Sequence, residues 1–297
     1  MANLKALKIR IKSVKSTQKI TKAMKTVASA RLKKAKNAVE NCRPYQQKIG
    51  KIASSIVSDI NNLDIEMSQF SLLVGNEKQE KHLVIVISAD RGLCGGLNSS
   101  TVKLARNHIA KLLNSGKEVQ IICLGKKCYE LLKTQYSQQI VQKYQSIFQK
   151  AVDYGDACKI ANEITLMFNN QQFDVAEVIY SKFKSAISQE QVVETIIPLN
   201  EQMASNPQDR HIDHNNLYQP SQVEILKSLL SEALAVTIYS KMLENFASEQ
   251  GARMSAMESA SSNAGKMVKN LTLVYNRTRQ ANITRDLIDI VSGANSV

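Results

Sequence analysis

The chain has 297 residues, 43% hydrophobic and 22% charged, which excludes a wholly disordered polypeptide. Its longest uninterrupted apolar run, Leu83 to Ile87, falls far short of the ~18 residues of a membrane-spanning helix, and five scattered cysteines without a Cys-x-x-Cys pair indicate a reducing compartment rather than a disulfide framework or a zinc site. The net charge of +13 is local: residues 1–39 carry ten lysines, two arginines and no acid, while the remainder holds 27 bases against 26 acids, which argues against a general polyanion-binding surface.

Neither glycine nor proline interrupts residues 1–43. Within them Leu4, Leu7, Ile11, Val14, Gln18, Thr21, Lys25, Ala28, Leu32, Ala35 and Val39 alternate steps of three and four, a heptad-like helical seam, with Ile20, Met24 and Val27 as a neighbouring stripe. Polar Gln18, Thr21 and Lys25 weaken that seam, so it calls for a partner helix. The helix is expected over residues 1–58, with Pro44 marking a bend or break.

Residues 75–200 alternate short β-rich runs with helical patterns. Strands are expected at Leu83–Ser88, Val119–Leu124, Val175–Tyr180 and Val192–Ile197, the last two joined by Lys184–Glu190, and helices at 97–114 and 153–168. This predicts an open, mostly parallel, Rossmann-like α/β sheet. A polar loop over 201–220 follows, and then residues 221–297, free of proline, form a second long helix. Its seam runs through Leu243, Ala247, Gln250, Met254, Met257, Ser261, Ala264, Val268, Leu271 and Tyr275, and twelve of the nineteen residues from Ala247 to Gly265 are Ala, Ser or Gly, which permits close backbone approach. The two terminal helices are therefore expected to form an antiparallel coiled coil, one shaft with the α/β domain inserted. If they end near 57 and begin near Pro220, paired positions sum to about 277 and Met24 lies opposite Arg253. That leaves residues 277–290 as an apolar overhang ended by a left-handed cap at Ser292-Gly293, and predicts that cysteines at 24 and 253 cross-link while cysteines at 3 and 290 do not.

Three features invite a chemical reading. The segment Asp90-Arg91-Gly92-Leu93-Cys94-Gly95-Gly96-Leu97-Asn98 joins a strand to a helix, where a doubly wound sheet binds phosphate, but its glycines fit neither the dinucleotide fingerprint nor a P-loop, and a structural turn in which Asp90 and Arg91 pair or cap locally is the alternative. His211 and His214 resemble a metal pair without a third ligand, and a solvated loop explains them as well. No nucleophile, base and phosphate cradle can be assembled, so no catalytic residue, metal or cofactor is expected. The lysine-rich first helix lacks the reading modules of a DNA-binding protein, the Arg and Ser content of a targeting peptide and the aromatic face of a membrane-surface helix. What remains is a cationic face directed at an acidic protein surface, or one that is merely solvated.

Several stretches together resemble the gamma subunit of the bacterial rotary, F-type ATP synthase. They are Ile9-Arg10-Ile11-Lys12-Ser13-Val14, Gln18-Lys19-Ile20-Thr21-Lys22-Ala23-Met24-Lys25, the 90–98 segment, Ser185-Ala186-Ile187-Ser188-Gln189, Ala247 to Met254 and Leu273 to Ala294. The resemblance implies a non-catalytic central-stalk rotor that couples rotation of the membrane c-ring to the conformational cycle of catalytic beta subunits in a proton-translocating complex. Implied partners are the alpha and beta subunits, the epsilon subunit and the c-ring, with no nucleic acid and no small-molecule substrate, on the cytoplasmic face of the bacterial plasma membrane. Position by position it implies ring contacts at Met24, Lys25, Glu249, Arg253, Arg279, Gln280 and Thr284, and foot contacts near the c-ring at Tyr218 and Gln219 in the loop 201–220. Thr26 stands where many members carry Met, and Gln219 where many carry Glu. A nucleotide-binding enzyme built on the α/β insert and a nucleic-acid-binding coiled coil are the rival readings, separable by ATP binding and by salt-sensitive DNA binding.

Overall fold

The computed structural model describes residues 4–61, 70–75, 78–149, 151–199 and 222–294. In chain order the elements are α1 (Leu4–Asn61), α2 (Ser71–Val74), β1 (Lys81–Ile87), α3 (Leu97–Asn114), β2 (Glu118–Leu124), α4 (Lys126–Tyr136), β3 (Ile140–Tyr144), α5 (Tyr154–Asn169), β4 (Val175–Phe183), β5 (Gln189–Ile197) and α6 (Gln222–Ala294). They divide into two compact units, a body of residues 30–252 and a pair of chain ends, 1–29 with 253–297.

In the body the five strands lie in the order β3-β2-β1-β4-β5. β1, β2, β3 and β4 pair in parallel, and β5 returns antiparallel to β4. Central β1 is buried from His82 onward because both faces are covered, as its unbroken apolar run requires. Val84 and Val86 face the α3 residues Val102, Ala105 and Ile109 and the α4 residues Cys128 and Leu132. Leu83, Ile85 and Ile87 face the other layer, built from α5 (Ala157, Ile160, Ile164, Phe168) and from the α1 and α6 residues Ala35, Val39, Leu234, Ile238, Met242 and Phe246. Three elements escape the sequence reading, the short α2 among them. α4 buries only Cys128 and Leu132 of eleven residues, and edge strand β3 alternates half-buried with exposed positions.

Pro44 lies inside α1, so of the expected bend or break the break does not occur. A proline in a helix interior costs about 3 kcal/mol, yet it sits on an exposed face between turns anchored by buried Val39, Ile49 and Ala53.

In the paired ends, Leu4, Leu7, Ile11, Val14, Gln18, Thr21, Lys25 and Ala28 of α1 are the residues withdrawn from solvent, joined only by Met24 beside the seam. On α6 Met254, Met257, Ser261, Ala264, Val268, Leu271 and Tyr275 are withdrawn as well, together with Arg253, Ser255, Ala256, Ala260, Gly265, Thr278 and Asn282. The register differs from the expected one. Lys25 pairs with Glu258, and a Cβ placed on Gly265 would lie 2.9 Å from Gln18 Nε2, so facing positions sum to 283 rather than 277. Met24 consequently faces Ser259, not Arg253, and Leu4 faces Arg279. Beyond Arg279 no described residue of α1 stands opposite α6 in this register for fifteen residues, and α6 remains helical through Ala294, so Gly293 lies inside the helix instead of capping it.

Candidate partner interfaces

The segment 90–98 is a staple. The Asp90 carboxylate, almost fully buried, accepts backbone N–H groups from Lys126 (3.0 Å), Ser146 (3.0 Å) and Phe148 (2.8 Å). One side chain thus ties the loop after β1 to the N-terminus of α4 and to the loop after β3, and its negative charge suits a helix N-terminus. Asn98 adds a second tie, its Oδ1 accepting the Ala89 N–H at 3.1 Å. These bonds are the local capping alternative to phosphate binding. Gly125, at φ +105°, brings α4 against Ser88, whose carbonyl oxygen lies 2.3 Å from where a Cβ would stand. Nothing in the sequence pattern marked Gly125, because α4 itself was not legible.

Helix α6 is fixed to β4 by a buried polar chain. Ser248 Oγ donates to the Ser181 carbonyl (2.8 Å), Asn245 Oδ1 accepts the Ser181 N–H (3.3 Å), and the Ser181 and Thr101 hydroxyls meet at 3.0 Å. The small residues of α6 are used here: Gly251 packs 3.2 Å, measured from an ideal Cβ, from the Ala186 carbonyl in the β4–β5 turn. Beside it a charged cluster sits against the sheet. Tyr180 Oη lies 3.0 Å from Glu194, which pairs with Lys182 at 3.3 Å and with Lys241. Burial pushes the Glu194 carboxyl up, but Lys241, the Tyr180 hydroxyl and Lys182 outweigh it and hold the group below the usual carboxylate range. Burial pushes the Tyr180 phenol up, and Glu244 and Glu194 push it further. A second cluster joins Glu177 to His82 (3.2 Å) and His108 (2.8 Å). All five cysteines are free thiols.

The residues assigned to ring contact fall into three settings. Met24 beside the seam and Lys25 within it are half-buried, with Lys25 joined to Glu258. Glu249 and Arg253 are 3% and 9% exposed. Arg279, Gln280 and Thr284 are exposed on α6, where the Thr284 hydroxyl donates to the Gln280 carbonyl at 3.0 Å. The register separates Met24 from Arg253, whereas Arg279, Gln280 and Thr284 share one helical stretch. Tyr218 and Gln219, like His211 and His214, lie outside the described residues.

Two surfaces stand out for partners. Lys8, Lys12, Lys15, Lys19 and Lys22 are exposed on α1 and make no ion pair among the described residues. The unpartnered end of α6 carries Ile283, Leu287, Ile288, Ile290 and Val291, each 51–67% exposed. No helix among the described residues is long and apolar enough to cross a membrane, and none of their His, Cys, Asp and Glu side chains form a group suited to hold a metal ion.

Paired chain-end helices combined with a doubly wound domain inserted between them define a class, that of ATP synthase stalk subunits. The ATP synthase family profile matches residues 3–297. The ATP synthase gamma chains of Methylorubrum populi and Methylobacterium nodulans are 45% and 44% identical, each over the whole of both chains. Among solved structures, a chain of the Euglena gracilis mitochondrial ATP synthase, in an OSCP/F1/c-ring structure, superposes with a TM-score of 0.66 at 18% identity, covering 99% of this chain and 94% of that one. A chain of the Tetrahymena thermophila mitochondrial ATP synthase central stalk and c-ring gives 0.60 at 24% identity, covering 82% and 99%. The chain belongs to the ATP synthase gamma-chain family.

Proposed function

We propose that the chain is the rotor of a proton-translocating ATP synthase, coupling rotation of a membrane c-ring to conformational cycling of catalytic beta subunits. The observation that carries this reading is the unpartnered end of α6. Fifteen residues of single helix with an exposed aliphatic stripe would fray in water. A collar of alpha and beta subunits around them supplies the missing apolar contact. Arg279, Gln280 and Thr284 lie at the rim of that collar, and the unpaired lysines of α1 meet acidic loops of the beta subunits at Met24 and Lys25. Glu249 and Arg253 contribute from the opposite helix. Tyr218 and Gln219, in the loop 201–220, form the foot with the c-ring and epsilon subunit, and the complex holds the chain at the cytoplasmic face of the bacterial plasma membrane.

Because the two helices present different side chains around the shaft, each beta subunit of a three-fold ring meets a different surface. A ligand biases a conformational equilibrium only through differential contact energy, and an asymmetric shaft supplies that difference to the three subunits in turn.

The test is the detergent-purified complex of alpha-beta ring and membrane sector, reconstituted into vesicles with and without this chain. Expected is co-purification of the chain with the ring, loss of ATP-driven proton pumping without it, and arrest of turnover when a cysteine replacing Leu287 is cross-linked to the ring. Undiminished pumping by complexes that lack the chain refutes the rotor role.

A further inference from the structure

Edge strand β3 pairs with β2 alone, so one row of its backbone N–H and C=O groups has no strand partner among the described residues. Such an edge is a template for an added strand unless it is covered or charged against pairing. Here the charge is arranged around a recess. Tyr129, Lys133 and Ser137 from α4 and its C-terminus, together with β3, line an opening of about 190 Å³. Lys143 Nζ stands 4.5 Å from the Tyr129 ring centroid and 3.5 Å from its hydroxyl, and Lys133 Nζ stands 5.9 Å from the same centroid. Neither ammonium pairs with an acid among the described residues, while nearby Glu130 is taken by Lys126 and Lys127. Two cations gathered at one ring, without a counter-ion, form a site of unspent positive charge. Val141, the residue left unpaired where the β2–β3 register shifts between Ile140 and Gln142, is 46% exposed beside them.

We propose that β3 is a docking strand for an extended, acidic segment of a protein partner, which adds as a sixth strand to the sheet. Its backbone pairs with the open edge, a carboxylate enters between Lys133 and Lys143, and a neighbouring apolar side chain covers exposed Val141 at the bulge. A small anion would use the lysines but leave the backbone edge and Val141 bare, which is why a peptide segment fits better than phosphate. The inference goes beyond the rotor reading, since that reading assigns nothing to this edge.

Amide hydrogen exchange on β3, compared between the isolated full chain and the chain within the detergent-purified ATP synthase, tests it. Expected is slowing of the β3 amides by about tenfold or more in the complex. The double variant Lys133→Glu/Lys143→Glu abolishes that slowing and Lys133→Gln/Lys143→Gln weakens it, with β1 amides unchanged as the internal check on folding. Equal exchange of β3 in both states, or protection that survives charge reversal, overturns the proposal. So does protection of β3 in the isolated chain by millimolar inorganic phosphate, which would make the recess a small-anion site. Absence of the chain from the purified complex would instead defeat the rotor reading, so the two failures are distinguishable.

Discussion

The body and the paired ends use helices for opposite purposes. In the body, β1 is closed in on both faces and α6 is clamped through Ser248, Asn245 and Gly251, so each contact is made within the chain. In the paired ends most seam positions are only half-buried, and Gln18, Thr21 and Lys25 occupy its middle. A two-helix seam of that composition holds register weakly and leaves most of its surface to others. The body is thus built to keep its own shape, and the ends to be completed by neighbours.

The sharpest way to break this comparison is covalent and all-or-none. A cysteine pair replacing Lys25 and Glu258 should close under mild oxidation, whereas a pair replacing Met24 and Arg253 should not, as a gel-shift assay on the purified chain would show. Closure of the second pair alone would restore the register derived from the sequence. Next in size is Gly125→Ala in the body. The new methyl would meet the Ser88 carbonyl at 2.3 Å on a backbone at φ +105°, so urea unfolding should show a loss of about 3 kcal/mol or more. A loss under about 1 kcal/mol would mean that the body yields as readily as the ends.

Smaller and pH-dependent is Glu194→Gln. The Glu194 carboxyl is held below its unfolded value, so its contribution is present above about pH 4.3 and fades as pH falls through the folded pKa. The variant should be less stable than the parent at pH 7, and the gap should close below about pH 4; a gap that widens on acidification contradicts the sign. Smallest is a pair of α6 glycines. At Gly265 an added Cβ meets only the far end of the Gln18 side chain, so Gly265→Ala should gain up to about 1 kcal/mol from helix propensity. At Gly251 it would press on the Ala186 backbone at 3.2 and 3.4 Å, so Gly251→Ala should be neutral or destabilising in thermal melts.

Elements that bury a continuous or periodic apolar pattern were legible: β1, β2, α3, α5 and both seams lie within a few residues of their expected positions. α4 and β3 were not, because each is largely solvated and stabilised by contacts distant in sequence, such as the Asp90 carboxylate on the Lys126 N–H. The register was wrong by six although its logic was sound. It rested on two helix limits, and ends held by tertiary packing are where local pattern carries least information. The resemblance assigned Arg279, Gln280 and Thr284 to ring contact, and the structure adds that all three are exposed, but periodicity alone could not have shown that Arg253 is withdrawn from solvent.

Asp90 has one more consequence. Helix N-termini in doubly wound domains commonly receive the phosphates of a mobile ligand, and the domain then changes with that ligand's concentration. Here the anion at α4 is covalently part of the chain, present in one copy and never released. The three loops it joins are thereby tied by a charge that dilution cannot remove.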